Sequence, residues 1–393
     1  MTIESDIVVA GTGPAGLLAA LAISQNGFRV ALVGPDVNLG DGRTTALMKP
    51  QLDFLDNLGL LDAIRTDAAP LKTMRIVDGT SRLLRSPIVS FRATEIGEDY
   101  FGLNIPNRHM LRVLSDALER SEVVRVKGLV KTWSPGAEHI EAELLDGSVL
   151  RARLAIAADG RNSPARDAVG IKVRSTPSQQ SALVLNFQHS RPHQDTSCEF
   201  HTEHGPFTQV PLPGQRSSLV WVNRPHRAQE LASLDEQALS RLIEDRMQSM
   251  LGRVTVDTGR QVFPLSSALP QRFAKDRVAL IGEAAHVFPP IGAQGLNLGI
   301  RDIEGLAEVT MRYPADPGGA DALAAYDRVR RPDIVARSSA VNLLNRSLLS
   351  DMLPTQAVRS LGLSLLERTP PLRALFMREG LRTGSGVGSL FRG

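Results

Sequence analysis

The hexapeptide Gly11-Thr12-Gly13-Pro14-Ala15-Gly16 constrains this chain more than any other stretch. Before it stands Asp6–Ala10 (DIVVA), a short apolar run with β-branched residues, which reads as a buried strand. After it, Leu17–Gln25 reads as a helix ended by Asn26-Gly27, and Phe28–Val33 as a second buried strand. G-x-G-x-x-G between a strand and a helix is a dinucleotide-binding pattern. Gly11 permits the tight turn, Gly13 lets a pyrophosphate approach the backbone, and Gly16 lets helix and strand pack closely. The first helical N–H groups then face the phosphates. Gly11, Gly13, Ala15 and Gly16 are therefore expected to line a cofactor. The acid that usually holds the ribose at the end of the second strand is replaced by Gly34. Asp36, two residues on, is the candidate substitute; its plain alternative is a loop acid in Gly-Pro-Asp.

Composition narrows the class. With 393 residues, 42% hydrophobic and 22% charged, the chain is an ordinary globular protein long enough for two domains. A single cysteine, Cys198, excludes a disulfide scaffold or Cys-rich zinc module and fits a cytoplasmic setting. Net charge is +3 and aromatics are 4%, so no nucleic-acid partner is expected. The apolar run Ala15–Ile23 falls far short of the ~20 residues that span a bilayer, and Met1–Asp6 has no basic segment of a secretory signal. No H-E-x-x-H or G-x-S-x-G occurs, so no metal site or nucleophile elbow is expected. His201 and His204 read as surface residues, and His286 as structural.

Along the chain, Met74–Val77 and Arg82–Leu84 flank Asp78-Gly79 as a hairpin. Val123–Val130, Ile140–Leu145 and Val149–Leu154 read as a meander. Alternating strands Ala182–Gln188, Cys198–His201 and Ser218–Asn223 mark an antiparallel sheet, followed by an amphipathic helix over Leu234–Leu251. The expected fold is α/β. A discontinuous Rossmann-like dinucleotide-binding domain (1–72, 100–175, 262–345) is joined by an antiparallel-sheet domain (73–99, 176–261) expected to cover the substrate. A helical C-terminal tail follows (346–393).

Two further segments decide the cofactor. One is Ala157-Ala158-Asp159-Gly160-Arg161, directly after a buried strand; the other is Arg277–Asp302 (RVALIGEAAHVFPPIGAQGLNLGIRD). In order and spacing they resemble the Asp-Gly and Gly-Asp motifs of the FAD-dependent aromatic hydroxylases, the group containing para-hydroxybenzoate hydroxylase. Within that group the chain is most similar to the ubiquinone-biosynthesis hydroxylases, through Asp41–Leu47, Phe54–Leu60, Glu203–Phe207 and Ser217–Val222. It departs from them at Glu283, where Asp is usual. It also departs at Pro289-Pro290 and Ala293-Gln294-Gly295, which look partly like the soluble phenol hydroxylases.

The segments also carry a physical logic. Glu283, after a strand, suits hydrogen bonds from a polyol. Pro290 fixes the chain near a ring and lacks a donor. Gly292–Gly295 lets backbone approach a flat ring, and N–H groups around Leu296 and Asn297 can stabilise its negative charge. The resemblance implies FAD contacts at Arg43, Asn107, Val130, Asp159, Glu283, Gly292, Ala293, Gln294, Gly295, Leu296 and Asn297, with Pro290, Gly292 and Asn297 closest to the chemistry. It implies reduction of FAD by NADH or NADPH, then ring hydroxylation with O2 through a C4a-hydroperoxyflavin. Alternation puts Leu219 and Trp221 on one strand face and Val220 and Val222 on the other. Either pair is a candidate substrate wall, with Trp221 as plain core the alternative. The substrate is a polyprenylated phenol of ubiquinone biosynthesis or a small soluble phenol; a non-catalytic flavin-binding subunit is the third reading. The Arg-rich Ala357–Leu381 region is either a helical hairpin packed on the FAD domain or a peripheral contact with the inner membrane or a biosynthetic complex.

Overall fold

The structure is a computed structural model that describes residues 2–80, 86–289, 294–349 and 369–381. Its first unit is built on a six-stranded sheet. In spatial order the strands are Ala274–Lys275, Val278–Leu280, Leu154–Ala157, Ile7–Ala10, Val30–Gly34 and Val124–Lys127. All pair in parallel except the short edge strand at 274–275. Ile7–Ala10, Val30–Gly34 and Leu154–Ala157 are buried along their whole length. That is why they read as unbroken apolar runs rather than alternating ones. The helix Pro14–Gln25 buries Gly16–Ile23 in the same core, alongside Asn107–Glu119.

The expected meander differs in one strand. Val124–Lys127 joins the parallel sheet beside Val30–Gly34, and a separate strand, Val130–Pro135, pairs with Ile140–Leu144. Gly128 breaks the apolar run between them, so one pattern became two strands in different sheets.

The second unit is a seven-stranded sheet. Its order is Val254–Pro270, Val173–His189, Arg216–Asn223, Gly205–Leu212, Thr196–Thr202, Thr73–Asp78 and Val89–Arg92. Thr73–Asp78 pairs with Val89–Arg92; the expected strand Arg82–Leu84 lies outside the described residues. The strands Val173–His189 and Val254–Pro270 are each 17 residues long, so the expected boundaries at 175/176 and 261/262 fall inside them. One face of this sheet is covered by the helices Pro225–Ser233 and Glu236–Arg246. There Leu183, Phe187, Phe207, Leu219 and Trp221 are buried with Leu231, Leu239 and Ile243. Each such side chain contributes about 1.5–3 kcal/mol of apolar burial. The second helix is shorter than the Leu234–Leu251 expected, because Asp235 caps it by accepting the Ala238 N–H at 2.8 Å.

Helices Gln294–Arg312 and Ala320–Leu349 return to the first unit. Of the expected tail, the structure describes 346–349 and 369–381. Within Pro370–Leu381, Met377 is buried with Phe91 and Phe101, and Arg373 pairs with Glu95 at 2.6 Å. Among the described residues no helix is long and apolar enough to cross a membrane.

Candidate active site

Three distant segments meet at the carboxyl ends of the parallel strands. Gly11 has φ +115°, and a Cβ there would sit 2.2 Å from the carbonyl oxygen of Ala158, so the first motif packs on the second. A Cβ on Gly16 would lie 2.0 Å from the Gly11 carbonyl oxygen. A Cβ on Gly282 would lie 3.2 Å from the Ala15 methyl, so the third motif packs on the first helix. Gly13 differs: a Cβ there would meet nothing within 4 Å. Its backbone faces open space at the start of the helix.

Asp159 follows the strand Leu154–Ala157 at the same edge. Its Oδ2 accepts the Ala165 N–H at 3.2 Å, while Oδ1 is buried without a hydrogen-bond partner. Burial raises its carboxyl above the usual carboxylate range. A buried carboxylate oxygen left open beside Gly11 is a seat for a donor from a bound molecule.

The Asp41–Thr45 loop closes the cleft from another side. Asp41 receives the Arg43 guanidinium through both oxygens at 2.8 Å, and its Oδ2 also accepts from Asn107 Nδ2 at 2.8 Å. Asn107 Oδ1 accepts from Thr45 Oγ1 at 2.7 Å. Asn107 is therefore a brace for the loop. Asn186 Nδ2 donates to the Gly42 carbonyl at 3.0 Å, and the Arg43 guanidinium lies 5.4 Å from the centre of the Phe263 ring. The loop thus joins the two units. The Asp41 hydrogen bonds hold the Arg43 guanidinium above its ordinary value, and Glu283, exposed on the turn after Val278–Leu280, adds its charge to the same effect.

Asn297 is buried, and its amide mimics a strand. Its Nδ2 donates to the Ala46 carbonyl at 2.7 Å and its Oδ1 accepts the Met48 N–H at 2.9 Å. The expected role for Asn297 therefore reduces to its backbone, since the side chain ties the helix start to Thr44–Met48. Gly295 is open at its Cβ position, Leu296 packs on the core, and Gln294 opens the helix Gln294–Arg312. Pro290, Gly292 and Ala293 lie outside the described residues. Val130 is half-buried against the core at the start of its strand.

Asp36 is exposed and pairs with Lys127 at 2.6 Å. The end of Val30–Gly34 is instead occupied by Arg125, whose guanidinium donates to the carbonyls of Leu32 at 3.2 Å and Gly34 at 3.3 Å. Arg125 and Asn186 were not singled out from the sequence, and of the Asp41–Leu47 stretch only Arg43 was given a role. Asp41 had a further local signal, a carboxylate two residues before an Arg.

The faces of Arg216–Asn223 resolve the substrate wall. Trp221 packs edge-on against Phe207 at 5.1 Å in the helix-covered core, so it is a core residue and not a wall of the cleft. Its neighbours point the other way: Ser218 Oγ accepts from Thr44 Oγ1 at 3.0 Å, and Val220 and Val222 share its face by alternation. That face looks toward the first unit. The residue expected at the surface, His201, is only 6% exposed. His286 is buried and bonded to Asp302. Among the described residues no group of three His, Cys, Asp or Glu side chains is placed to hold a metal.

The FAD binding domain family matches residues 4–338 of this chain. The chain belongs to that family. This FAD-dependent enzyme is similar to ubiquinone hydroxylase UbiL of Rhodospirillum rubrum, 32% identical, with 96% of this chain and 90% of that protein covered. It is 28% identical to 3-demethoxyubiquinol 3-hydroxylase of Escherichia coli, covering 98% and 99%. The fold is that of p-nitrophenol 4-monooxygenase PnpA from Pseudomonas putida, with TM-score 0.78, 22% identity and 97% of both chains covered. PqsL of Pseudomonas aeruginosa has the same fold, with TM-score 0.77, 23% identity, and 88% and 97% covered.

The residues present fit FAD. The Gly13 backbone is bare where a pyrophosphate would lie, the helix behind it offers N–H donors, and Asp159 Oδ1 lacks a partner. The flavoenzyme is an aromatic monooxygenase. The first unit and the sheet face that carries Val220 are joined by the Thr44–Ser218 and Asn186–Gly42 hydrogen bonds.

Proposed function

We propose that this flavoenzyme hydroxylates the ring of a polyprenylated phenol on the route to ubiquinone, using NADH or NADPH and O2. The observation that carries the reading is full-length similarity to ubiquinone hydroxylases. The cleft supports it chemically. When bound, FAD takes a hydride from the nicotinamide and activates O2 for transfer of one oxygen to the ring.

The chain's own residues bind, orient and exclude water. Gly11, Gly13, Ala15, Gly16 and the helix they open hold the pyrophosphate. Asp159 and Glu283 accept hydrogen bonds from cofactor hydroxyls. Arg43, locked by Asp41 and braced by Asn107, brings a fixed positive charge to the cleft. Asp36 lies near the adenosine end. N–H groups opening Gln294–Arg312, at Gly295, Leu296 and Asn297, stabilise negative charge on the ring system, and the family resemblance assigns Pro290, Gly292 and Ala293 to the same ring. Val220 and its half-buried aliphatic neighbours keep water from the reacting ring.

The enzyme works on its prenylated substrate as a cytoplasmic protein peripheral to the inner membrane, through the C-terminal region or a biosynthetic complex. A small soluble phenol is the second reading, favoured by Ala293-Gln294-Gly295 and Pro289-Pro290. Purified protein is expected to be yellow with stoichiometric FAD. Deletion of the gene is expected to abolish ubiquinone and accumulate an under-hydroxylated prenylphenol. An unchanged quinone profile overturns the prenylphenol reading, and colourless protein that FAD cannot reconstitute leaves only a non-catalytic role.

A further inference from the structure

We propose that Glu199, held by His201, receives the phenolic hydroxyl of the substrate and selects phenols without a ring carboxylate; this rests on the phenol-hydroxylase reading above. The register of the seven-stranded sheet places one transverse row on the face turned toward the first unit. Ile76 stands beside Glu199, Glu199 opposite Thr208, Thr208 opposite Val220, and Val220 opposite Val184. All five are partly exposed, whereas Cys198, Phe200, Phe207, Leu219, Trp221, Leu183 and Leu185, the neighbours of the other four residues, are buried on the helix-covered face and Arg75 and Val77 beside Ile76 are half-buried. The row holds one charged side chain among aliphatic and hydroxyl groups.

The row is tied to the cleft. Met74 and Ile76 pack in one cluster with Met48, whose N–H is bonded by Asn297 at the start of the helix Gln294–Arg312. At the other end, Ser218 and Asn186 of the neighbouring row bond to Thr44 and Gly42.

Glu199 is built to accept. His201 Nε2 lies 3.0 Å from Glu199 Oε1, with the two side chains 7% and 21% exposed. Among the described residues Glu199 Oε2 has no hydrogen-bond partner. Asp78, the acid next to His201 across the sheet, is engaged by Thr80 and Ser86 at 2.6 and 2.8 Å. Among the described residues no Lys or Arg stands in the rows of Glu199 and His201. Arg43 reaches only the far end, over Phe263, and is paired with Asp41. A carboxylate on the substrate ring would stand against the Glu199 carboxylate, like charge against like, whereas a neutral phenol offers the hydrogen that Oε2 lacks.

In the reaction, the phenol O–H breaks, the electron pair stays on oxygen, and the proton passes to Oε2. The electron-rich ring takes one oxygen of O2, the reducing electrons coming from NAD(P)H. As aromaticity returns, Glu199 gives its proton back to the same oxygen. The displaced ring hydrogen leaves as a proton toward the water by-product. His201 donates to Oε1 throughout and keeps Oε2 aimed.

The test uses the FAD-loaded full chain with 2-geranylphenol, its O-methyl ether, and 3-geranyl-4-hydroxybenzoate. Binding is read from the flavin absorbance change, and coupling from ring product against H2O2 per NAD(P)H oxidised. Wild type should bind the phenol at least 10-fold tighter than the ether or the benzoate. Glu199→Gln should lose roughly 100-fold in product formation, divert reducing equivalents to H2O2, and abolish the discrimination against the benzoate. Glu199→Asp should recover part of the coupling, and His201→Asn should fall between. Unchanged FAD content and melting temperature in Glu199→Gln separate this from unfolding; if that variant does not fold, Glu199→Asp and His201→Asn carry the test. Wild-type coupling and wild-type discrimination in the variants overturn the Glu199 assignment alone. A wild-type flavin spectrum that ignores every phenol overturns it together with the phenol-hydroxylase reading.

Discussion

His286 Nε2 lies 2.7 Å from Asp302 Oδ2, and both side chains are wholly buried. The same oxygen accepts the Gly282 N–H at 3.0 Å, and Oδ1 accepts from Arg330 Nε at 2.9 Å. One carboxylate thus joins the turn that carries Glu283 to both long C-terminal helices. Removing it leaves the buried His286 imidazole without its carboxylate and the Arg330 guanidinium with Asp333 in place of two carboxylates. Asp302→Ala should lower unfolding stability by about 3–5 kcal/mol in urea titrations. FAD affinity should fall with it, because the Glu283 turn loses its anchor. A variant as stable as wild type would mean that the network contributes nothing net.

Two glycines of the first motif should separate fold from cofactor binding. Gly13→Val adds a side chain into open space, so the apoprotein should fold while the pyrophosphate position is blocked. Gly16→Ala drives a methyl to 2.0 Å from the Gly11 carbonyl oxygen and should cost about 1–3 kcal/mol of stability or more. The ratio of flavin to protein absorbance and a melting curve check both. Stoichiometric FAD in purified Gly13→Val would contradict the pyrophosphate assignment.

Asp159 should trade stability for binding. Burial raises its carboxyl, so the folded state holds the proton more tightly than the unfolded chain does. Its ionised form is then a cost that grows as pH rises from the usual carboxylate value through the folded one. At pH 7, Asp159→Asn apoprotein should be more stable than wild type by about 1–3 kcal/mol. It should bind FAD more weakly, read by quenching of flavin fluorescence.

Asp41 carries the opposite sign. Burial opposes its charge, but the bonds from Arg43 and Asn107 outweigh burial and hold its carboxyl below the usual range. That stability is present above the ordinary carboxylate value and is lost as pH falls through the folded value. The Arg43 side chain is 46% exposed, so solvent screening limits the pair to about 1 kcal/mol. Asp41→Asn should be less stable than wild type by that amount at pH 7, with the difference shrinking in strong acid. Denaturant midpoints across pH check this.

Cys198 is 0% exposed, and burial pushes its thiol up to about 11. At pH 8 it should resist thiol-specific labels in the native protein and react fully once denatured. Rapid native labelling would place it at an accessible surface instead.

What could be read along the chain was local. The Gly11–Gly16 turn was legible because strand, turn and helix are contiguous, and each glycine answers to a steric need within a few residues. The buried parallel strands announced themselves as unbroken apolar runs. The Asp-Gly and Gly-Asp segments were legible as motifs, and through them the flavin. The split of Val123–Val130 was not legible, because which sheet a strand joins depends on partners far away.

By itself, then, the amino-acid order determined the nucleotide cradle, the α/β class and the alternation that sets Trp221 and Val220 on opposite faces. Only the tertiary structure decided which face is roofed by helices and which looks into the cleft. It also decided that Asn297 spends its amide on Ala46 and Met48, that Asp36 turns to Lys127, and that Glu199 shares a row with Val220. The physical reason is range. Backbone sterics and periodicity act between near neighbours, whereas strand register, buried ion networks and the choice of packed face come from contacts that exist only after distant segments meet.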